Sequence, residues 1–473
     1  MRVPSWLIIV ALLWSGANSA SAQLRLDDAE LAASAEEFRE LMPDEPTSLV
    51  ESLVDGPANA DAQKSLEQRV QLLEKELQKQ QEAAAKKKEA DALKPSFQIG
   101  GQLQVDYLWI GQDAANRASV GDAQNMVDFR RARITGRGEA FDVIEYAMGF
   151  DFALAGRPTF LDIWGGVRDL PYLGHVRAGH YFEPFSLERM TQNSRNTFME
   201  RSLADTFAPS RNTGLEAYDA LGEEERASYQ IGWFASNSDV FGDEFADVGG
   251  QAVTARLTWL PWWVDDGRGF WHVGGAYSYR TPPNQQWAFG SFPEARAGNP
   301  LPPGIPLFVN TGIIANNDHQ LFGLETALVY GPLYIQSEFM ATSVNQIGGP
   351  DLFFHGAYVN ASYFLTGEHR TYNKLFGIID RVFPTENFFR VRTEDGAICN
   401  GKGAWEVAAR YSYVDLTDAN IQGGTLRNVT LGLTWHLTAF TRVKWEVIQT
   451  DLDRAPVGKS QATIAGMRFD FEF

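Results

Sequence analysis

The last eight residues of the chain, 466–473, alternate apolar and charged side chains and end on an aromatic residue. Successive side chains of a β-strand point to opposite faces, so Phe469 and Phe473 share one face while Arg468 and Asp470 share the other. One face suits lipid and the other suits water. This pattern predicts the closing strand of a transmembrane β-barrel, with the edge of a soluble sheet as the alternative.

The first 22 residues have the features of a secretory signal peptide. Arg2 is basic, residues 6–14 are apolar, and small residues lead to a cleavage site after Ala22. The apolar stretch is too short to span a bilayer, and no later run reaches about 18 apolar residues. A closed barrel is the other structure that can span a membrane. We therefore expect an exported chain in the outer membrane, in contact with its lipid.

Composition bounds the possible functions. The chain has 473 residues, of which 44% are apolar, and one cysteine, Cys399, which excludes an intrachain disulfide. The formal net charge is -19, which argues against nucleic-acid binding. The mean hydropathy of -0.26 is compatible with a membrane barrel, because half of each strand faces water.

The segment that follows the signal peptide divides into two parts. Residues 23–63 are acidic, rich in alanine and broken by prolines, which predicts a solvated, disordered segment. Residues 64–95 are predicted to form a short coiled coil, because apolar residues recur at alternating spacings of four and three before Pro95. The alternative for this second part is a lone surface helix.

Residues 96–473 are predicted to be all-β, because two-residue alternation replaces the helical pattern. About sixteen strands can be assigned, and an even number suits an antiparallel single-chain outer-membrane barrel. The predicted strands are 97–109, 126–140, 143–155, 158–168, 172–182, 211–220, 226–236, 249–260, 269–280, 316–330, 332–346, 353–366, 402–416, 423–438, 441–452 and 461–473.

The lengths of the connections support this assignment. Tight connections at 331–332 and 439–440 follow even-numbered strands, as periplasmic turns should, and long ones at 183–210 and 281–315 follow odd-numbered strands. The segment 367–401 is long but falls on the predicted periplasmic side. It must fold into the lumen or reveal a miscounted strand.

The sequence carries no motif of an enzyme. It lacks the histidine spacings of metalloproteases, the nucleophile elbow of hydrolases and the glycine motifs that bind phosphates or dinucleotides. We therefore expect no catalytic residue, no metal and no cofactor. Two rival classes remain beside a pore. They are a non-conducting structural or adhesive barrel, and a hydrolase whose Ser and His meet across strands.

One predicted strand, 126–140, carries a row of arginines. Arg131, Arg133 and Arg137 share one parity and are predicted to face the lumen, since arginine at the lipid midplane costs roughly 2–4 kcal/mol. Arg130 has the lipid-facing parity and is expected near a rim, where it can reach water. The three lumen arginines could contact anions. Alternatively, they could pair with lumen carboxylates such as Asp151, Glu325 or Glu406.

Several segments of the body resemble a known family, the phosphate-selective porins O and P. The resemblance covers nearly all of 97–473. It is carried by Phe129-Arg130-Arg131-Ala132-Arg133, Glu183-Pro184-Phe185, Thr197-Phe198-Met199-Glu200-Arg201-Ser202, Phe207-Ala208-Pro209, Arg211-Asn212-Thr213-Gly214, residues 357–368, residues 405–413 and residues 426–433.

The resemblance implies a trimeric barrel that passes small anions such as phosphate or polyphosphate. It also implies that the third outer loop, 183–210, folds inward as a constriction, and that a late periplasmic connection enters the lumen. The family commonly has lysine where this chain has Phe182, which puts phosphate selectivity in question. The implied loop residues are Glu183, Pro184, Phe185 and Glu200, and the implied anion pathway is Arg131, Arg133 and Arg137 with Arg189, Arg195 and Arg201.

Overall fold

The structure is a computed structural model. It describes residues 95–153, 158–236, 241, 249–296, 304–392 and 398–473, together with the helical residues Lys75, Gln78 and Lys79. The chain divides into two units, 1–88 and 89–473. The predicted signal peptide, the acidic segment and nearly all of the predicted coiled coil lie outside the described residues. Among the described residues, no helix combines the length and apolar character needed to cross a membrane.

The described part of the second unit contains sixteen long antiparallel strands in one sheet. In chain order they are β1 Gln98–Gln112, β2 Met126–Ala140, β3 Ile144–Asp151, β4 Ile163–Leu170, β5 Gly174–Phe182, β6 Arg211–Leu221, β7 Ala227–Ala235, β8 Gln251–Val264, β9 Gly269–Thr281, β10 Ile314–Tyr330, β11 Leu333–Gln346, β12 Leu352–Phe364, β13 Ala404–Asp418, β14 Ile421–His436, β15 Thr441–Arg454 and β16 Gly458–Glu472. Each matches one predicted strand, so the predicted number is confirmed.

The sheet closes on itself. β16 pairs with β1 from Gln102 opposite Glu472 to Gln112 opposite Ala462, so the first and last strands leave no free edge between them. Closure satisfies the backbone hydrogen bonds that lipid cannot satisfy. The alternation predicted for the last strand is also confirmed, because Phe473 is 63% exposed while Arg468 is fully buried.

The connections follow the predicted parity with one refinement. Tight turns join β2 to β3, β10 to β11 and β14 to β15, and we call this end of the barrel the turn side. At the opposite end, the loop side, the first five connections are long. The last three, at 347–351, 419–420 and 455–457, are short, so the prediction that outer connections run long is wrong for them.

Short elements lie outside the sixteen strands. The helix α1, Ala114–Val120, lies in the first loop, and the helix α2, Leu187–Met190, lies in the third. The 3-10 helices of the described residues are Leu203–Phe207, Asp265–Gly267 and Pro283–Gln285. Two-residue strands are Thr159–Phe160, Gln286–Trp287, Gly290–Ser291, Val309–Asn310, Tyr372–Asn373 and Ile378–Ile379, and four-residue strands are Phe389–Arg392 and Ile398–Gly401.

Candidate functional site

The third loop, residues 183–210, folds into the interior of the barrel. Phe185, Leu187 and Leu203 of this loop have no exposed surface. Phe185 packs against β10 at Gly323, where an added Cβ would lie 3.1 Å from the Phe185 ring, so the glycine makes room for the loop. This observation agrees with the sequence-based expectation of an inward constriction loop.

Carboxylates of the barrel wall hold the loop by its backbone. Glu338 of β11 accepts hydrogen bonds from the N–H groups of Leu187 and Glu188, at 3.0 and 2.8 Å. Glu446 of β15 accepts one from Met199 at 3.0 Å. These strands lie across the lumen from β5 and β6, between which the loop begins and ends. The loop therefore crosses the interior instead of resting on the strands that carry it.

The four predicted constriction residues are buried or nearly so. Glu183 accepts hydrogen bonds from Arg280, Asn212 and Thr254 at 2.5–2.6 Å. Pro184 is buried next to Phe185. Glu183 thus ties the start of the loop to the wall through β6, β8 and β9.

Glu200, the fourth, lies at the centre of a cluster of arginines. Its carboxylate oxygens lie 2.9 Å from Arg130, 3.8 Å from Arg131 and 2.6 Å from Arg468. Burial acts to raise the pKa of Glu200, but the three guanidinium groups outweigh it and hold that pKa well below its ordinary value. Glu200 is therefore an anionic anchor of the loop.

The prediction for Arg130 was wrong. Arg131 lies opposite Gln104 on β1 but Phe129 lies opposite Val105, so Arg130 is the extra residue of a β-bulge. The bulge interrupts the two-residue alternation and turns Arg130 into the lumen. There its Nε and Nη2 atoms donate to Glu200 at 2.9 Å.

The three predicted lumen arginines of β2 differ in their partners. Arg131 is buried and donates to Gln104 at 2.6 Å. Arg133 donates to Asp151 at 2.7 Å and keeps 17% of its side-chain surface. Arg137 is exposed, and no described residue forms an ion pair or hydrogen bond with it. Arg133 thus pairs with one of the predicted carboxylates, whereas anion contact by these arginines stays a prediction.

The three predicted arginines of the loop are all engaged with protein groups. Arg189 lies 2.8 Å from Asp205, and Arg195 lies 2.5 Å from Asp380. Arg201 donates to the backbone carbonyl oxygens of Glu188 and Arg189 at 3.1 Å. These arginines shape the loop in addition to placing positive charge in the lumen.

Phe182 lies among three guanidinium groups. The Cζ atoms of Arg211, Arg201 and Arg189 lie 3.8, 5.6 and 5.9 Å from the centre of its ring. Arg211 was not among the predicted site residues, although it pairs directly with Phe182 across β5 and β6. The available signal was its place in the motif Arg211-Asn212-Thr213-Gly214, at the start of a predicted strand. Arg211 also donates to Asp162 at 2.9 Å.

The connection between β12 and β13 also enters the lumen, through its residues 370–381, where Arg256 of β8 donates to the carbonyl oxygens of Phe376 and Gly377, each at 2.8 Å. Its Arg370 is 2% exposed and donates to Glu406 and to the Arg195 carbonyl oxygen, each at 2.5 Å. Its Asp380 is the partner of Arg195. The long segment on the turn side is therefore an inward fold and not a miscounted strand.

Two cavities in the described part of the barrel interior are lined by the arginines of β2. The loop-side cavity has a volume of about 440 Å³ and is lined by residues that include Arg133 and Arg211. The turn-side cavity has a volume of about 370 Å³ and is lined by residues that include Arg137 and Phe182. Phe182 and Arg211, which contact each other, therefore lie where the two cavities approach. Within the described residues, no group of three or more His, Cys, Asp or Glu side chains could hold a metal ion.

A closed barrel with an apolar outer face, a charged lumen and an inward loop defines the class of outer-membrane porins. Residues 97–473 match the family model described as phosphate-selective porin O and P, and the chain belongs to that family. The protein is thus an outer-membrane channel and not an enzyme.

Two curated relatives and one solved structure illustrate the similarity. Porin O of Pseudomonas aeruginosa is 26% identical over 395 residues, which cover 76% of this chain and 84% of that protein. An uncharacterized protein of Caulobacter vibrioides is 26% identical over 348 residues, 70% of this chain and 63% of that protein. An anion-selective porin from Comamonas acidovorans is 13% identical with a TM-score of 0.48, over 80% of this chain and all of that one.

Proposed function

We propose that this porin passes small hydrophilic solutes and prefers anions, the class that includes phosphate and polyphosphate. The observation that carries the proposal is the arginine row of β2. Arg130 and Arg133 line the loop-side cavity, and Arg137 lines the turn-side cavity. One strand thus supplies positive charge along both open parts of the lumen.

The charge of the cavity walls supports the same preference. Five arginines and one carboxylate, Asp151, line the loop-side cavity, whereas two arginines and three carboxylates line the turn-side cavity. Among the lining residues, seven arginines therefore stand against four carboxylates, and the excess lies on the loop side, where Glu200 and Glu183 behind the wall pair with Arg130 and Arg280 and reduce it. A cavity with low-dielectric walls and one sign of charge raises the local concentration of the opposite ion.

The individual arginines have different parts in this proposal. Guanidinium groups bind oxyanions through two parallel hydrogen bonds and stay charged at any biological pH. Arg137 is the main contact group, because its side chain is exposed and no described residue pairs with it, and Arg133 adds the 17% of its side-chain surface that its pair with Asp151 leaves accessible. The remaining arginines of the pathway contribute to the positive electrostatic potential of the lumen, since protein groups already occupy most of their hydrogen-bond donors. These are Arg131, Arg189, Arg195 and Arg201.

The experiment is planar-bilayer recording of the purified full-length porin in a gradient of KCl. The expected reversal potential favours chloride over potassium, and Arg133→Glu should reduce or invert that preference. The matched control is Arg226→Glu, which changes an exposed turn arginine that pairs with Glu224 and lines neither cavity. Cation selectivity of the unmodified protein would refute the proposal, and the absence of discrete conductance steps would favour the structural or adhesive barrel.

We also propose that three copies assemble and that the helix predicted over 64–95 helps to hold them. The support is the apolar seam of that segment and the trimeric habit implied by the family resemblance. Contacts between barrels could hold a trimer unaided, so the contribution of the helix has its own test in the Discussion.

A further inference from the structure

The loop-side cavity combines an aromatic wall with its positive charge. Trp287 lies 5.0 Å from the His319 ring and 6.4 Å from the Phe289 ring, measured between ring centres. All three residues line the cavity, and so does Phe160. Phe289 and His319 are buried, so Trp287 and Phe160, which are partly exposed, supply most of the accessible ring surface, and an inorganic ion cannot use such apolar surface. This part of the wall therefore indicates a ligand with an apolar portion.

The cationic part of the wall limits the charge of that ligand. Arg130, Arg133 and Arg211 are each bound to a carboxylate and each keep 17% of their side-chain surface. Arg296 is exposed and forms no ion pair or hydrogen bond with any residue that the structure describes. One unpaired guanidinium suits a single carboxylate, whereas phosphate needs several free donors around a concentrated charge.

From these two features we infer that the loop-side cavity is a binding site for aromatic monocarboxylates. The carboxylate contacts Arg296 and the accessible edges of the paired arginines, and the ring lies against Trp287, with Phe160 as further apolar wall. The volume of about 440 Å³ is within the range of small-molecule sites. The inference rests on the proposed pore and names the substrate class that it favours.

The position of Phe182 agrees with this inference. An aromatic ring stands where the arginines of β6 and of the inward loop converge, so a flat organic anion leaving the cavity meets another apolar surface. A lysine there would instead add a fourth cation to the cluster. Phe182 lines the turn-side cavity, with Arg211 of the loop-side cavity next to its ring, so an aromatic group and a cation also lie together beyond the proposed site.

The test measures how four anions, added on the loop side, reduce the chloride current of the full-length porin. The probes are benzoate, cyclohexanecarboxylate, acetate and phosphate. We expect benzoate to halve the current at a concentration at least tenfold lower than acetate or phosphate. Cyclohexanecarboxylate should lie between benzoate and acetate, because it is apolar but not flat.

Two variants separate the contributions of ring and charge. Trp287→Ala should raise the half-blocking concentration of benzoate about tenfold and leave that of acetate unchanged. Arg296→Gln should raise both. Trp271→Ala is the matched control, because that tryptophan is 44% exposed on the outer face. Trp287→Phe keeps a ring and should keep most of the benzoate block, and the folded band on unheated gels verifies each barrel.

The inference is overturned if benzoate blocks no better than acetate or phosphate, or if Trp287→Ala changes nothing. Failure of the proposed anion preference has a separate readout, the reversal potential in KCl. A barrel that favours chloride but does not distinguish benzoate from acetate would keep the proposed function and refute the aromatic site.

Discussion

Glu200→Gln should loosen the inward loop and strengthen the preference for anions. The wild-type carboxylate accepts from Arg130 at 2.9 Å and from Arg468 at 2.6 Å, and Arg131 lies 3.8 Å away. Glutamine has nearly the same shape but no charge, so three buried guanidinium groups lose a shared counter-ion. The change therefore tests charge and not packing.

The magnitude follows from the burial of these pairs. Removing one partner of a buried ion pair typically costs about 3–5 kcal/mol, because the other charge stays buried without compensation. Asp106 remains next to Arg468 at 2.6 Å and Gln104 next to Arg131, which places the expected loss near the lower limit, about 3 kcal/mol. This free energy is lost from the docking of the inward loop against the barrel wall.

The assay combines conductance with protease sensitivity of the loop in detergent. We expect noisier single-channel steps, faster cleavage within 183–210 and a larger ratio of chloride to potassium permeability, since Arg130 becomes free. Glu224→Gln is the matched control, because its pair with Arg226 is exposed and such pairs contribute about 0–1 kcal/mol. Unchanged cleavage and unchanged selectivity in Glu200→Gln would refute the role of Glu200 as an anchor.

Three further predictions follow from the loop and the amino-terminal segment. In Phe182→Lys, the phosphate concentration that halves the chloride current should be at least tenfold lower, because the new lysine adds a cation next to Arg211. An unchanged half-blocking concentration would contradict this prediction. Burial raises the pKa of Glu188 to about 7, with Asp205 adding to the rise, so the folded state holds a proton that the unfolded chain releases above about pH 4.5. The free energy of unfolding should therefore fall between pH 4.5 and 7, by up to about 3.5 kcal/mol at 1.4 kcal/mol per pKa unit. Heat resistance should depend less on pH in Glu188→Gln. Deleting 23–94 should lower the heat resistance of the detergent-solubilised trimer; an unchanged trimer would exclude a stabilising helix.

The sequence alone was sufficient to predict the number and approximate positions of the strands of this barrel. Membrane strands must alternate lipid-facing and lumen-facing residues, so the period of two is visible wherever the chain crosses the bilayer. The parity of Arg131, Arg133 and Arg137 follows from the same rule. The family resemblance located the inward loop, because its motifs lie on both sides of the constriction.

Only the tertiary structure determined which groups the charged side chains of the lumen contact and which way Arg130 points. Arg130 turned inward because a bulge inserts one residue into β2, and no local pattern marks that insertion. Asp380 meets Arg195, and Glu446 meets Met199, across roughly 185 and 247 positions of chain. Such contacts depend on how far each loop reaches into the lumen. Local alternation determines which face a side chain occupies, whereas only the closed barrel determines which charge it meets there.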